Sequence, residues 1–319
     1  EFYAQGEWWI MSTDTPNLGT SADSTPGVRG LLAGGITPSI LDSINYISIS
    51  SPGNGQNFGD LNGGTRLAGG CASRTRGLFG GGASPSPTKT NKIDLVTIAS
   101  TANAVDFGNL TVVRNQLAAC SNQTRGMWAG GDGPSSIVDT IDYVTISSTG
   151  NAQDFGNLIV DTEQLEGCSS PTRGIFGGGS APGATNTIQF ITISTTGNAQ
   201  DFGDLITAKT FFSSCSNSTR GLFASGFVSP ADTNAIEFVT IASTGNAQNF
   251  GDLTVARRNG RAACSSPTRG IFAAGFTDPA NTNTIDYVNI QTEGDAVDFG
   301  DLTSARQQSF ACSNGHGGL

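Results

Sequence analysis

Cysteine, histidine and arginine are the residues here with the most chemistry to offer. The cysteines stand at 71, 120, 168, 215, 264 and 312, separated by 49, 48, 47, 49 and 48 residues. An even number of cysteines would ordinarily suggest a disulfide framework. These recur once per repeated segment, as in Cys168-Ser-Ser-Pro-Thr-Arg-Gly-Ile-Phe and Cys264-Ser-Ser-Pro-Thr-Arg-Gly-Ile-Phe. Side chains at equivalent places of neighbouring repeats point the same way and do not face each other. Six free, buried thiols acting as small apolar groups are expected. Six evenly spread cysteines with one histidine match no zinc spacing. The sole histidine, His316, lies near the end of the sequence, which removes Ser-His-Asp and most Cys-His designs. We expect no catalytic residue, no metal, no cofactor and no enzyme.

An Arg-Gly pair begins at Arg29, Arg76, Arg125, Arg173, Arg220 and Arg269. A Phe-Gly pair begins at Phe58, Phe107, Phe155, Phe202, Phe250 and Phe299, each preceded by Asp or Asn (Asn57, Asp106, Asp154, Asp201, Asn249, Asp298). The arginines are expected to be structural, as ion pairs or carbonyl caps, with an anion-binding ring as the alternative. The Asp/Asn corners lack the alternating acids of a calcium loop and read as Asx turns.

These markers share one period of about 48 residues, so the elements that position them repeat with it. Each unit reads as four short strands. Examples are 117–120 (A), 125–130 (B), 141–146 (C) and 152–158 (D), with turn residues between and no helical periodicity. Four strands at this period select a β-propeller. The first unit has B, C and D but no A, and the last supplies an A strand at 309–312. We therefore expect an all-β, six-bladed propeller of four-stranded antiparallel blades over 28–319. The C-terminal strand completes the N-terminal blade and leaves no unpaired edge. Residues 1–27 fall outside the repeat. Their aromatic cluster (Phe2, Tyr3, Trp8, Trp9, Ile10) is expected to be an arm on the propeller or a junction to another component.

The glycine doublets at 34–35, 80–81, 130–131 and 177–178, with the aromatic pair Tyr143…Phe155, resemble the kelch repeat. Phe stands where kelch usually has Trp, and the doublet is lost at Ser225-Gly226. The wording Tyr-Val-Thr-Ile…Ser-Thr-Gly-Asn-Ala…Asp-Phe-Gly also resembles tandem repeats of marine cyanophage virion proteins. That resemblance implies a tail-fibre-like or structural role on a virion or extracellular surface.

Net charge is −10 and charged residues are 13%. An acidic chain without a basic stripe repels phosphate backbones, so nucleic acid is not expected. No apolar run approaches the ~18 residues of a membrane helix, so no membrane insertion is expected. The AB and CD turns are nearly identical between units, whereas the BC loops and DA links differ, and loops on a rigid scaffold carry recognition. Aromatic and Arg side chains dominate binding hot spots. The candidate ligand site is thus Phe211, Phe212, Phe227, Phe276, Arg257 and Arg258, exposed on the BC/DA face near units five and six. The expected function is non-catalytic recognition of a host-surface glycan or protein, with contacts to other virion components through 1–27. A decoration protein that stacks through its near-identical face is the alternative, and an extracellular carbohydrate-active enzyme the third reading.

Overall fold

The computed structural model describes residues 2–4, 7–9, 29–85 and 89–319. It contains six four-stranded antiparallel sheets arranged as the blades of a ring. Blade 1 runs Phe310–Ser313 (A), Arg29–Ala33 (B), Ser43–Ser48 (C) and Gln56–Asp60 (D). Blade 2 is Gly69–Ala72, Arg76–Gly80, Lys92–Thr97 and Val105–Asn109. Blade 3 is Ala118–Ser121, Arg125–Ala129, Thr140–Thr145 and Gln153–Asn157. Blade 4 is Glu166–Ser169, Arg173–Gly177, Thr187–Thr192 and Gln200–Asp204. Blade 5 is Ser213–Ser216, Arg220–Ala224, Ala235–Thr240 and Gln248–Asp252, and blade 6 is Ala262–Ser265, Arg269–Ala273, Thr284–Asn289 and Val297–Asp301. The C-terminal strand closes the ring, with Leu31 opposite Cys312 and Ala33 opposite Phe310. Strand bounds shift by about one residue from those read in the sequence. No helix among the described residues is long and apolar enough to cross a membrane. Phe2–Ala4 pairs with Glu7–Trp9 as a two-stranded ribbon. The proposed packing or junction role of the N-terminal aromatics otherwise lies outside the described residues.

The core lies between blades. One cluster joins Leu78, Phe107 and Leu110 of blade 2 and its outgoing link to Trp128, Val144 and Ile146 of blade 3. The Phe-Gly phenylalanine is placed there by a bulge. In blade 3, Asp142 faces Asp154 and Ile141 faces Gly156, which leaves Phe155 unpaired. A bulge adds one residue to one strand and re-aims its side chain. The Asp before it points to solvent while Phe155, only 2% exposed, turns inward. Its ring meets Tyr143 edge-on at 5.8 Å between centroids.

The invariant dipeptides are blade-to-blade joints. At each Arg-Gly glycine, a Cβ would come within 2.5–2.9 Å of the preceding blade's cysteine Sγ, as at Gly126 against Cys71. All six thiols are free and buried. Burial pushes them up in pKa, Cys168 and Cys264 to about 12. The guanidinium of each pair caps a carbonyl of the following blade. Arg29, Arg76, Arg125, Arg173, Arg220 and Arg269 donate to Ile98, Ile146, Ile193, Ile241, Ile290 and Ile49 at 2.8–3.3 Å. Five also lie over a strand C ring, 4.7–4.9 Å from its centroid. Arg76 has no such ring because Leu95 occupies that position. Carbonyl capping is common to all six arginines, and Arg220 also reaches Glu293 at 3.5 Å; Asp106, Asp154, Asp201 and Asp298 stand exposed at the starts of their D strands.

The Phe-Gly glycines accept the next blade's CD turn. A Cβ there would meet a turn carbonyl at 2.3–2.7 Å, as at Gly108 against Gly150. The following N–H donates to that turn's Asn or Asp, as Asn109 does to Asn151 at 3.0 Å. Near the axis, Ser121, Ser169, Ser216, Ser265 and Ser313 each donate to the preceding inner strand at 2.7–2.9 Å. The AB and CD turns are thus nearly identical because each must fit a neighbouring backbone.

The glycine doublets sit one residue later in two blades than the sequence reading placed them. The left-handed pairs are Gly81-Gly82 and Gly178-Gly179, and Ser225 (φ 63°) and Ala274 (φ 62°) take the first position in blades 5 and 6. The second position stays Gly because a link carbonyl lies against it, as Asn115 O does at 2.6 Å from a Cβ on Gly131.

Candidate ligand-binding face

The central channel ends in two different plugs. On the AB/CD side the tail after the closing strand folds over the axis, and His316 Nε2 lies 2.8 Å from the Ala72 carbonyl and 3.2 Å from Ser121 Oγ. Burial pushes this imidazole down to about 4, against the pull of the Ala72 carbonyl. On the BC/DA side Arg261 of blade 6 pairs with Glu166 of blade 4 and donates to the Leu117 and Leu165 carbonyls at 2.9 and 3.1 Å. Burial pushes the Glu166 carboxyl up to about 7 although Arg261 draws it down. About 50 Å³ of free space remains between the plugs, lined by the inner strands.

Around the BC/DA mouth runs a collar that sequence reasoning missed. Leu67, Gln116, Gln164, Phe211, Asn259 and Gln308 all adopt φ of 56–60°. Backbone N–H groups of five of them donate to the preceding member at 2.8–2.9 Å, where the chain shows Leu67 to Gln308, Gln116 to Leu67, Gln164 to Gln116, Asn259 to Phe211 and Gln308 to Asn259. Four carry carboxamides. Their common offset before each cysteine was the available signal, hidden because neither residue type nor spacing is strict.

The expected ligand site divides. Phe212 is 0% exposed and packs against Phe223, 6.2 Å between centroids. Arg257 is 1% exposed and pairs with Asp286 at 2.9 Å. Both corrections have one cause. The DA link dips into the gap between blades, so that Phe212 and Arg257 turn into the gap while Phe211 and Arg258 stay partly open to solvent. Arg114 and Lys209, on the corresponding links of other blades, are equally buried, paired with Asp142 at 2.9 Å and Glu237 at 3.0 Å. Burial lowers the pKa of all three cations and their acids raise it back in part. These pairs latch one blade to the next.

The remaining residues come together at the surface. Phe227 and Phe276 begin the BC hairpins of blades 5 and 6, Phe227–Val228 with Ala231–Asp232 and Phe276–Thr277 with Ala280–Asn281. Arg258 lies between them, its Cζ 5.5 Å from the Phe227 centroid and 5.1 Å from that of Phe276. Its Nη1 is 3.0 Å from Asp232 Oδ1. Both rings are half-buried, as is Phe211 on the collar, and about a third of the Arg258 side chain reaches solvent. Thr210 bridges to Phe227 and Arg258 to Phe276, so collar and hairpins form one continuous surface. A cation over one face of each ring holds the rings in place and sets their apolar surface beside a charge and a carboxylate. Such a surface can stack a planar or sugar-ring ligand and donate hydrogen bonds to it.

No protein-family model matches this chain, and no curated protein matches it.

Proposed function

We propose that the chain is a non-catalytic binding module of kelch-like repeats that reads its ligand on the BC/DA face across blades 5 and 6. The observation that carries this is the Phe227–Arg258–Phe276 stack with Asp232. It occurs at one junction of the ring, it is half open to solvent, and it is not among the joints repeated in every blade. Aromatic and Arg groups of this kind dominate binding energy at interfaces. A glycan that stacks on the rings is the favoured ligand and a protein segment the next. The resemblance to virion repeats supports a place on a phage or cell exterior, with host-surface recognition as the role. Stacking as a decoration protein loses its motive, since the identity of the AB/CD turns has an internal cause. Catalysis draws no support from His316, which is engaged in the channel plug on the opposite side.

A glycan array followed by host-cell adsorption tests this reading. Phe227→Ala with Phe276→Ala should reduce binding at least tenfold, and Phe211→Ala should reduce it less. Half-buried rings contribute to packing, so the melting temperature should fall by a few degrees at most. Wild-type binding by the folded double variant would move the site elsewhere.

A further inference from the structure

The buried latch has six equivalent positions, and at one of them an acid faces no link cation. The link residues whose carbonyls accept from Gly35, Gly82, Gly131, Gly179, Gly226 and Gly275 are Thr65, Arg114, Thr162, Lys209, Arg257 and Arg306. The facing third residues of strand C in blades 1 to 6 are Asn45, Asp94, Asp142, Gln189, Glu237 and Asp286. The four cationic link residues each meet the acid or amide of the next blade. Three cations therefore meet three acids (Arg114–Asp142, Lys209–Glu237, Arg257–Asp286). Arg306 meets the amide of Asn45 at 3.2 Å. Thr162 belongs to the junction of Gln189, a neutral pair. At the junction of blades 1 and 2, Thr65 stands opposite Asp94, an acid without a link cation to pair with it.

The cradle is otherwise intact. In blade 3 the guanidinium of Arg114 binds Asp142 and the carbonyls of Trp128 and Thr140, at 3.1 and 2.7 Å. The corresponding residues of blade 2 are Phe79 and Lys92, by their places in strands B and C. Thr65, Phe79, Lys92 and Asp94 line a cavity of about 50 Å³, room for about four waters at the ~10–15 Å³ each needs. Asp94 is 9% exposed. Asn62 donates to both its oxygens, at 3.1 and 2.8 Å, the part that Thr111 plays on Asp142. Nothing described takes the part of Arg114. The undescribed residues cannot supply it, because all 16 lysines and arginines of the chain lie in the described part. The nearest cations are placed otherwise: Arg66 donates to Gln308 at 2.8 Å, Lys89 pairs with Asp132 at 2.7 Å, and Lys92, whose charge is felt at Asp94, is exposed and forms no ion pair with it among the described residues.

We infer that this cavity is a binding site for an external guanidinium or primary alkylammonium group, which would pair with Asp94 and occupy the space filled by Arg114, Lys209 or Arg257 at other junctions. The site lies on the BC/DA face, apart from the aromatic stack, and does not depend on the role proposed for that stack. The group could belong to a free small molecule or to an arginine or lysine of a partner protein. The acidic chain would draw either toward it.

Methylguanidinium is the test probe, with methylurea as its neutral counterpart and sodium chloride at matched ionic strength. At about ten times its dissociation constant, methylguanidinium should raise the melting temperature by about 1–3 °C, and methylurea should not. The gain should vanish in Asp94→Asn and in Thr65→Arg. Both variants copy residues the chain already uses at equivalent junctions, Asn45 and Arg114, so both are expected to fold. Calorimetric titration with an arginine-containing peptide separates the sources: at least tenfold tighter binding than methylguanidinium indicates a partner side chain, and equal binding a free cation. Equal effects of methylurea and methylguanidinium, or a methylguanidinium gain that survives in Asp94→Asn, would overturn the assignment.

Discussion

The two faces of the ring join the same blades by opposite means. On the AB/CD side the joint is backbone against small residue. A glycine receives a thiol, another receives a turn carbonyl, and an arginine caps a carbonyl. A carbonyl cannot be mutated, so the residues that meet it repeat in every blade. On the BC/DA side, outside the backbone collar, the latch is side chain against side chain, and both members can change together. Arg114–Asp142 becomes Lys209–Glu237, and Thr162 accompanies Gln189. Strict repetition here marks a backbone neighbour, while variation marks a paired side chain as readily as a binding surface.

Deleting residues 309–319 should break that comparison most severely. It removes the closing strand with Phe310 and the His316 plug together, and it leaves the edge of Arg29–Ala33 unpaired. The truncated chain should aggregate on size-exclusion chromatography. A monodisperse product with unchanged melting would mean that closure contributes little.

Arg114→Met tests the side-chain joint. Removing one member of a buried pair strands the other, at a cost of about 3–5 kcal/mol. Arg306→Met, which leaves only the Asn45 amide behind, should cost distinctly less in denaturant titration. Equal losses would show that the acids do not set the strength of the latch.

The backbone joint is probed by Gly126→Ala, whose new Cβ would lie 2.7 Å from Cys71 Sγ. Overpacking of this kind costs about 1–3 kcal/mol. Cys71→Ala in the same chain should recover most of it, and the double-mutant cycle measures the coupling. An additive cycle would separate the thiol from the glycine.

The smallest effects concern the plugs, and they have opposite signs. Native His316 stays neutral down to about pH 4, whereas the unfolded imidazole takes a proton below about 6.5. Its contribution is complete above 6.5 and is lost as pH falls toward 4. Native Glu166 keeps its proton up to about 7, whereas the unfolded carboxyl releases it above about 4.5. Stability from this group therefore falls as pH rises from 4.5 to 7. His316 reaches solvent at one edge, so its slope is the shallower for its shift. In melting curves between pH 4.5 and 6.5, His316→Gln should lose stability with rising pH more than the wild type, and Glu166→Gln should gain it. Parallel profiles would mean that neither plug titrates in this window.

Period and residue type by themselves determined the number of blades, their four-strand order, the seam at Phe310–Ser313 and the isolation of the thiols. These follow from local chemistry repeated every 48 residues or so: strand formers, turn formers, and a unit that lacks its first strand. The arginines were legible as structural, although their carbonyl partners, about 70 residues away in five cases and 220 across the seam in the sixth, were not. Only the tertiary structure decided which link residues face solvent. Phe211 and Phe212 are adjacent and equally aromatic, but the left-handed turn at Phe211 leaves one ring on the collar and drives the other into the blade gap. Arg257 and Arg258 divide the same way, one to Asp286 and the other to the surface stack. Neighbouring residues of like chemistry are separated by the course of the backbone and the packing of the next blade, and neither is written in residue type or spacing.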